Sequence, residues 1–294
     1  MKKTLLILLS FSSLLLAEVN VAVSYPFIAA LTKQVGGDHV EVTTLAKGNW
    51  DPHFVVPRPS LIRQVAQADL LVINGAGLEI GWMPPLIRQA HNRRIQPGSK
   101  GFLDLSQFVT LINKPTTVSR ANGDIHPEGN PHYATDPYVM PPLADAIATR
   151  LALLDPEHAT AYRDNAAAFK RRWQKDLTRW DKEMAPLKGK KLIQYHELFN
   201  YFLKRYGLVS VGNIEPLPGI NPSSRHTLEL IRLMKAEDVK LILQDVYHSP
   251  KTARYIAEKT GAKEVLMPHD VGAVHEADTL EKLYDTMVER VTQP

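Results

Sequence analysis

The chain has no cysteine. That excludes disulfides, thiolate metal ligation and a lipid-carrying cysteine. Any metal site must therefore be built from imidazole and carboxylate. Charge of one sign is also scarce: 35 Lys and Arg stand against 31 Asp and Glu, for a formal net charge of +4. No block of like charges and no basic stripe with interleaved aromatics occurs, so nothing points to nucleic acid. The zinc-protease helix motif is missing too, because the position four residues after His196 is Asn200.

Long apolar runs are absent except at the N-terminus. There, Lys2 and Lys3 precede an apolar run from Leu5 to Leu16, followed by Ala17 and Glu18. A basic start, a short apolar stretch and a small residue make a signal peptide of residues 1–17. The run falls short of the roughly 20 residues that span a bilayer. An anchor that stays attached is the other reading of the same run. Cleavage after Ala17 removes two lysines and no acid, so the charge falls from +4 to +2. The expectation is an exported, periplasmic protein that does not span the membrane once the signal is removed.

What remains is ordinary for a soluble globular protein, with 44% hydrophobic and 22% charged residues. At 294 residues the chain has room for about two domains. Strand-like runs lie at Val19 to Val23, Val40 to Thr44, Leu70 to Asn74, Lys191 to Tyr195, Leu208 to Val211, Leu241 to Gln244 and Glu264 to Met267. They alternate with helical stretches, as in α/β lobes with mainly parallel sheets. Leu61 to Asn74 (LIRQVAQADLLVIN) and Leu230 to Asp245 (LIRLMKAEDVKLILQD) are faint copies of one helix–turn–strand unit. Duplication and chance both explain them, and either way the halves share a building unit.

Between the halves, Tyr162, Ala166, Phe169, Trp173, Leu177, Trp180 and Met184 recur at spacings of three and four, one apolar stripe of a helix. Asp155-Pro156-Glu157 supplies a capping residue, a first-turn proline and an acid at the positive helix end. About 30 residues at about 1.5 Å each give about 45 Å, enough to run along two lobes and fix them together. The expected organisation is an N-terminal α/β lobe over 18–154, a linking helix over 155–186 and a similar C-terminal α/β lobe over 187–294.

Four residues stand out by position. His53 lies in a loop between a strand and a helix, His132 just before a helix start, and His196 and Asp270 directly after strands. Ligands bind at that edge of open α/β sheets. Three neutral imidazoles and one carboxylate suit a four-coordinate zinc ion. Of the eleven histidines, His269, His275 and His248 also lie near strand ends as supporting or alternative ligands. His226 sits near a helix start as a structural residue, and His39, His91 and His158 are expected at the surface. Glu197 is expected to cap the following helix or to orient an imidazole.

The motifs DPHFVVPRPS, GNPHYATDP and YHELFNYFLKRYGL resemble the metal-binding family of ABC-importer substrate-binding proteins, the zinc and manganese group. The resemblance covers nearly the whole mature chain. It implies a metal site between two α/β lobes joined by one rigid helix, with ligands falling on His53, His132, His196 and, on a shorter motif, Asp270. It also implies a non-enzymatic, monomeric carrier that delivers its ion to an ABC importer permease in the inner membrane. Members associated with manganese place a glutamate at the third position. His196 stands here, and imidazole favours zinc over manganese. Many zinc-uptake members carry a long histidine-rich loop before the second ligand. The corresponding region, residues 113–130, holds only His126, read either as a transient ligand or as a solvated loop residue. Two other functions fit the same residues: a secreted zinc hydrolase with three ligands, a bound water and Glu197 as base, and a receptor for an organic solute in which the histidines are incidental.

Overall fold

The computed structural model describes residues 18–116 and 126–293. The signal-peptide reading of residues 1–17 lies outside them. Two four-stranded parallel sheets organise the chain. The first contains β1 (Val19–Val23), β2 (Val40–Thr44), β3 (Leu70–Ile73) and β4 (Phe102–Asp104) in the order β2-β1-β3-β4. The second contains β5 (Lys191–Gln194), β6 (Val209–Asn213), β7 (Leu241–Gln244) and β8 (Lys263–Leu266) in the order β6-β5-β7-β8. The topologies are the same. The two faint sequence copies, α2 (Pro59–Gln67) with β3 and α7 (Ser224–Ala236) with β7, occupy equivalent places.

Strand boundaries shift by a residue or two from the sequence reading, and β4 was not foreseen. Three residues, Phe-Leu-Asp, are too few to show a period. Helices α1 (Pro26–Gly36), α3 (Met83–Ala90) and α4 (Met140–Leu154) belong to the first half; α6 (Asn200–Tyr206) and α8 (Lys251–Thr260) belong to the second.

The long helix α5 covers Ala159–Met184, with a 3-10 turn at Pro156–His158 before it and another at Ala185–Leu187 after it. Its 26 residues span about 39 Å, less than the 45 Å expected. All seven residues of its apolar stripe are buried. Asp155 does not cap it. Its carboxylate instead accepts from Tyr162 Oη at 2.6 Å and pairs with His158 Nδ1 at 2.6 Å. The 3-10 turn therefore intervenes where the α-helix was expected to begin.

Helix α5 packs on α1 and α4, and also on the last helix, α9 (Leu280–Thr292). Tyr284 of α9 lies against Trp173 and Trp180 and donates its hydroxyl to Ala134 O at 2.7 Å. The larger core thus runs from Val19 to Val291 and takes in α9, while a smaller cluster around Ile193, Ile231, Ile242 and Ile256 serves the second sheet. No helix among the described residues is long and apolar enough to cross a membrane.

Candidate metal centre

Because every strand is parallel, each sheet delivers its following loops to one edge. In the second lobe, His196 follows β5, Glu215 follows β6, Asp245 and His248 follow β7, and His269 and Asp270 follow β8. In the first lobe, His53 follows β2 and His132 follows β4. Across the cleft, one ring nitrogen each from His53, His132 and His196 lies within 4.8 Å of the others.

Each histidine is held by its own local frame. Asp51 Oδ1 accepts from the His53 backbone N–H at 2.9 Å and faces His53 Nδ1 at 2.9 Å. Pro52 O, between them, accepts from Tyr25 Oη at 2.7 Å and Trp82 Nε1 at 3.3 Å, which pins the loop to the first core. His132 is buried. Its N–H donates to Asn130 Oδ1, while Asn130 Nδ2 donates to Glu197 O across the cleft. His196 is buried, and its Nδ1 lies 2.6 Å from Glu215 Oε2; the other Glu215 oxygen accepts from Gly219 N at 2.8 Å.

A neutral imidazole has one N–H and one lone pair. Asp51 and Glu215 draw the N–H of His53 and His196 to Nδ1, which leaves Nε2 bare for a cation. His132 Nε2 lies 3.2 Å from His196 Nε2. Burial first, and then the neighbouring His53 and His196, holds His132 well below the usual imidazole range. An ion therefore meets little proton competition at this residue.

Asp270 is not brought into that group. Its Oδ1 accepts from Phe27 N at 2.7 Å and Val271 N at 2.6 Å, so the carboxyl clasps the first turn of α1 to the segment after β8. The two backbone donors favour the anion, but burial outweighs them and pushes the carboxyl up to about 8. Asp270 lines a cavity of about 30 Å³ behind His132, together with His269. His269 Nδ1 is buried without a hydrogen-bond partner, and burial pushes that ring down to about 4.

The other histidines divide. His126 is not a solvated loop residue. It is half-buried, stacks on His53 and places its Nε2 3.2 Å from His53 Nε2. His248 pairs with Asp245 Oδ2 at 2.9 Å and stacks on Tyr195, with its ring 6.4 Å from that of His196. His226 bonds Asn213 O at 2.9 Å, the structural role expected. His275 and His91 are exposed. His39 and His158, expected at the surface, are half-buried and stacked 3.8 Å apart. Glu197 does not orient His196; its Oε1 accepts from Asn213 Nδ2, and Glu215, 19 residues after His196, takes the orienting place. The one signal for Glu215 was its position directly after a strand.

The fold matches solved structures, and several known proteins are similar in sequence. A solved crystal structure of ZnuA superposes with a TM-score of 0.78 at 24% identity, covering 94% of this chain and 98% of that one. A zinc-bound ZnuA from which residues 138–173 of its own chain were deleted gives 0.79 at 26% identity, covering 94% and 97%. The manganese-binding lipoprotein MntA of Bacillus subtilis (strain 168) is 25% identical over 92% of this chain and 86% of its own length. The zinc-binding lipoprotein AdcA of Streptococcus pneumoniae (strain ATCC BAA-255 / R6) is 24% identical over 91% of this chain, which spans only 55% of that longer protein. The family model for the periplasmic component A of the zinc-uptake complex, ZnuA, matches residues 21–293. The chain belongs to this family.

Proposed function

We propose that this protein captures one zinc ion outside the cytoplasmic membrane, in the periplasm, and delivers it as a monomer to an ABC importer permease. Family members are substrate-binding proteins of ABC transporters and not enzymes, so neither the hydrolase nor the organic-solute reading gains support. Relatives are named for both zinc and manganese, and membership alone does not choose the metal. The donor set favours zinc: three imidazoles converge within 4.8 Å, and nitrogen ligands suit zinc better than manganese.

The observation that carries this reading is the convergence of His53, His132 and His196 with two of their rings held by Asp51 and Glu215. We assign Nε2 of those three residues as ligands. Asp270 serves the site from behind His132, as the clasp that keeps α1 against the second lobe.

The test is zinc titration of the chelator-stripped mature protein with manganese as competitor. One tightly held zinc per chain that manganese does not displace supports capture at this site. Absence of tight metal overturns it.

A further inference from the structure

Resting on that metal-capture reading, we propose that His126 supplies the fourth ligand, making an all-imidazole zinc site. Zinc–nitrogen bonds of about 2.0–2.1 Å in a tetrahedron place neighbouring ligand nitrogens about 3.3 Å apart and their ring centroids about 5.2 Å apart. The structure contains two such nitrogen pairs, His53 with His126 and His132 with His196, each with Nε2 atoms 3.2 Å apart. Ring centroids lie 5.3 Å apart for His53 and His126, 5.1 Å for His53 and His132, and 5.3 Å for His132 and His196. The His53–His196 pair is at 5.7 Å, and His126–His132 is longer at 6.2 Å. His126 therefore leans on His53, outside the three-histidine group, and has to move toward His132 and His196 to close the tetrahedron.

Each 3.2 Å pair is an N–H···N hydrogen bond without the ion. His53 and His196 carry their own hydrogen on Nδ1, facing Asp51 and Glu215. In each pair the shared proton therefore comes from the partner, His126 or His132. A cation entering between the pairs would be held by all four Nε2 lone pairs, with the hydrogens of His126 and His132 moved to Nδ1 so that every ring stays neutral.

Competing carboxylates are already engaged. Asp51 and Glu215 hold Nδ1 atoms, and Asp270 Oδ1 holds two backbone N–H groups. The charge also balances. A divalent ion on four neutral imidazoles keeps its +2, and Asp51 and Glu215, each one ring away, offset it. The backbone keeps His126 near: His126 O accepts from Gly129 N at 3.1 Å, and Asn130 N donates to Ile112 O at 2.8 Å, which ties the end of the turn to the segment at Ile112. His126 is then a specificity residue, since a fourth nitrogen discriminates further against manganese than an oxygen would.

The experiment compares wild type, His126→Ala and His126→Asp by zinc competition titration, manganese competition and zinc-edge X-ray absorption, with thermal unfolding of the metal-free proteins as the folding control. The expected result is four imidazoles on zinc in wild type and three in His126→Ala. Zinc affinity should fall at least about tenfold, no less than the smallest loss typical of an outer hydrogen-bond partner. His126→Asp should recover part of that affinity and narrow the zinc-to-manganese ratio. An imidazole count of three in wild type, or a zinc affinity within twofold in His126→Ala, overturns the proposal while leaving three-histidine capture standing. Loss of tight zinc from wild type itself would instead overturn the capture reading.

Discussion

Replacing Glu215 with Gln tests how the site prepares its ligands. The Glu215 side chain is 6% exposed and lies 2.6 Å from His196 Nδ1. Zinc on Nε2 makes the Nδ1–H more acidic, so the bond to the carboxylate strengthens on binding, and only that strengthening adds to affinity. A hydrogen bond to a charged group contributes about 1.5–3 kcal/mol. If most of that is realised only with metal bound, the loss is about 10- to 100-fold in Kd. Gln can keep Gly219 N satisfied through its oxygen, so the loop should hold. Its amide N–H₂ then faces Nδ1, donates to it, and moves the ring hydrogen onto Nε2, where it blocks the ion. Asp51 does the same work for His53 but is 27% exposed, so water can replace it and Asp51→Asn should cost less. The assay is zinc competition against a chelator, with apo-protein thermal unfolding in parallel. A Glu215→Gln loss below twofold, or a loss no larger than that of Asp51→Asn, would refute the argument.

Other perturbations have different signatures. His132→Ala should abolish tight zinc binding while the metal-free protein unfolds at nearly its original temperature; zinc binding as tight as wild type by titration would remove His132 from the ligand set. Asp270→Asn should leave zinc affinity within about tenfold, because burial already favours the neutral carboxyl and Asn preserves the acceptor for Phe27 and Val271. A collapse matching His132→Ala would make Asp270 a ligand. Trp173→Ala should destabilise the fold by about 3–5 kcal/mol in denaturant unfolding, since the indole is buried and donates to Pro137 O at 2.8 Å; a cost under about 1 kcal/mol would contradict the packing described. Glu79 supplies a pH test away from the ligands. Burial outweighs its hydrogen bonds and pushes the carboxyl from 4.5 to about 7. The native state therefore keeps a proton that the unfolded chain releases, and the Glu79 contribution is full below about 4.5 and lost as pH rises toward 7, by up to about 1.4 kcal/mol per unit. Comparing Glu79→Gln with wild type from pH 5 to 7 should show a flatter stability profile for the variant, and parallel profiles would count against this assignment.

Much of the architecture was legible because buried parallel strands and a long amphipathic helix write their periods into the sequence. Leu241 to Gln244 and the α5 stripe are where the pattern placed them. What escaped depended on distance in the chain. Nothing in the amphipathic pattern of Leu280–Thr292 says that it packs against Trp173 and Trp180. The histidine cluster was likewise invisible to spacing, because His53, His132 and His196 meet only when two sheets present their edges to each other; the family motifs supplied the positions. Glu215 was missed because a carboxylate after a strand looks like any loop acid until His196 is seen beside it. His126 was ambiguous because a lone loop histidine gives no sign of a partner 73 residues away.

The return of α9 to the first core bears on the order in which this molecule can fold. A chain lengthening from its N-terminus makes β1 to β4 and α5 early, but the groove over Trp173 and Trp180 stays uncovered until Leu280–Thr292 arrives. Contacts separated by most of the sequence form slowly, so the nascent first half should linger in a soft, incompletely packed form. Trimming the C-terminal helix would hold the molecule there. Arrival of α9 then acts as a locking step, closing the core over α5 and tying the second half of the chain to Ala134, two residues from His132.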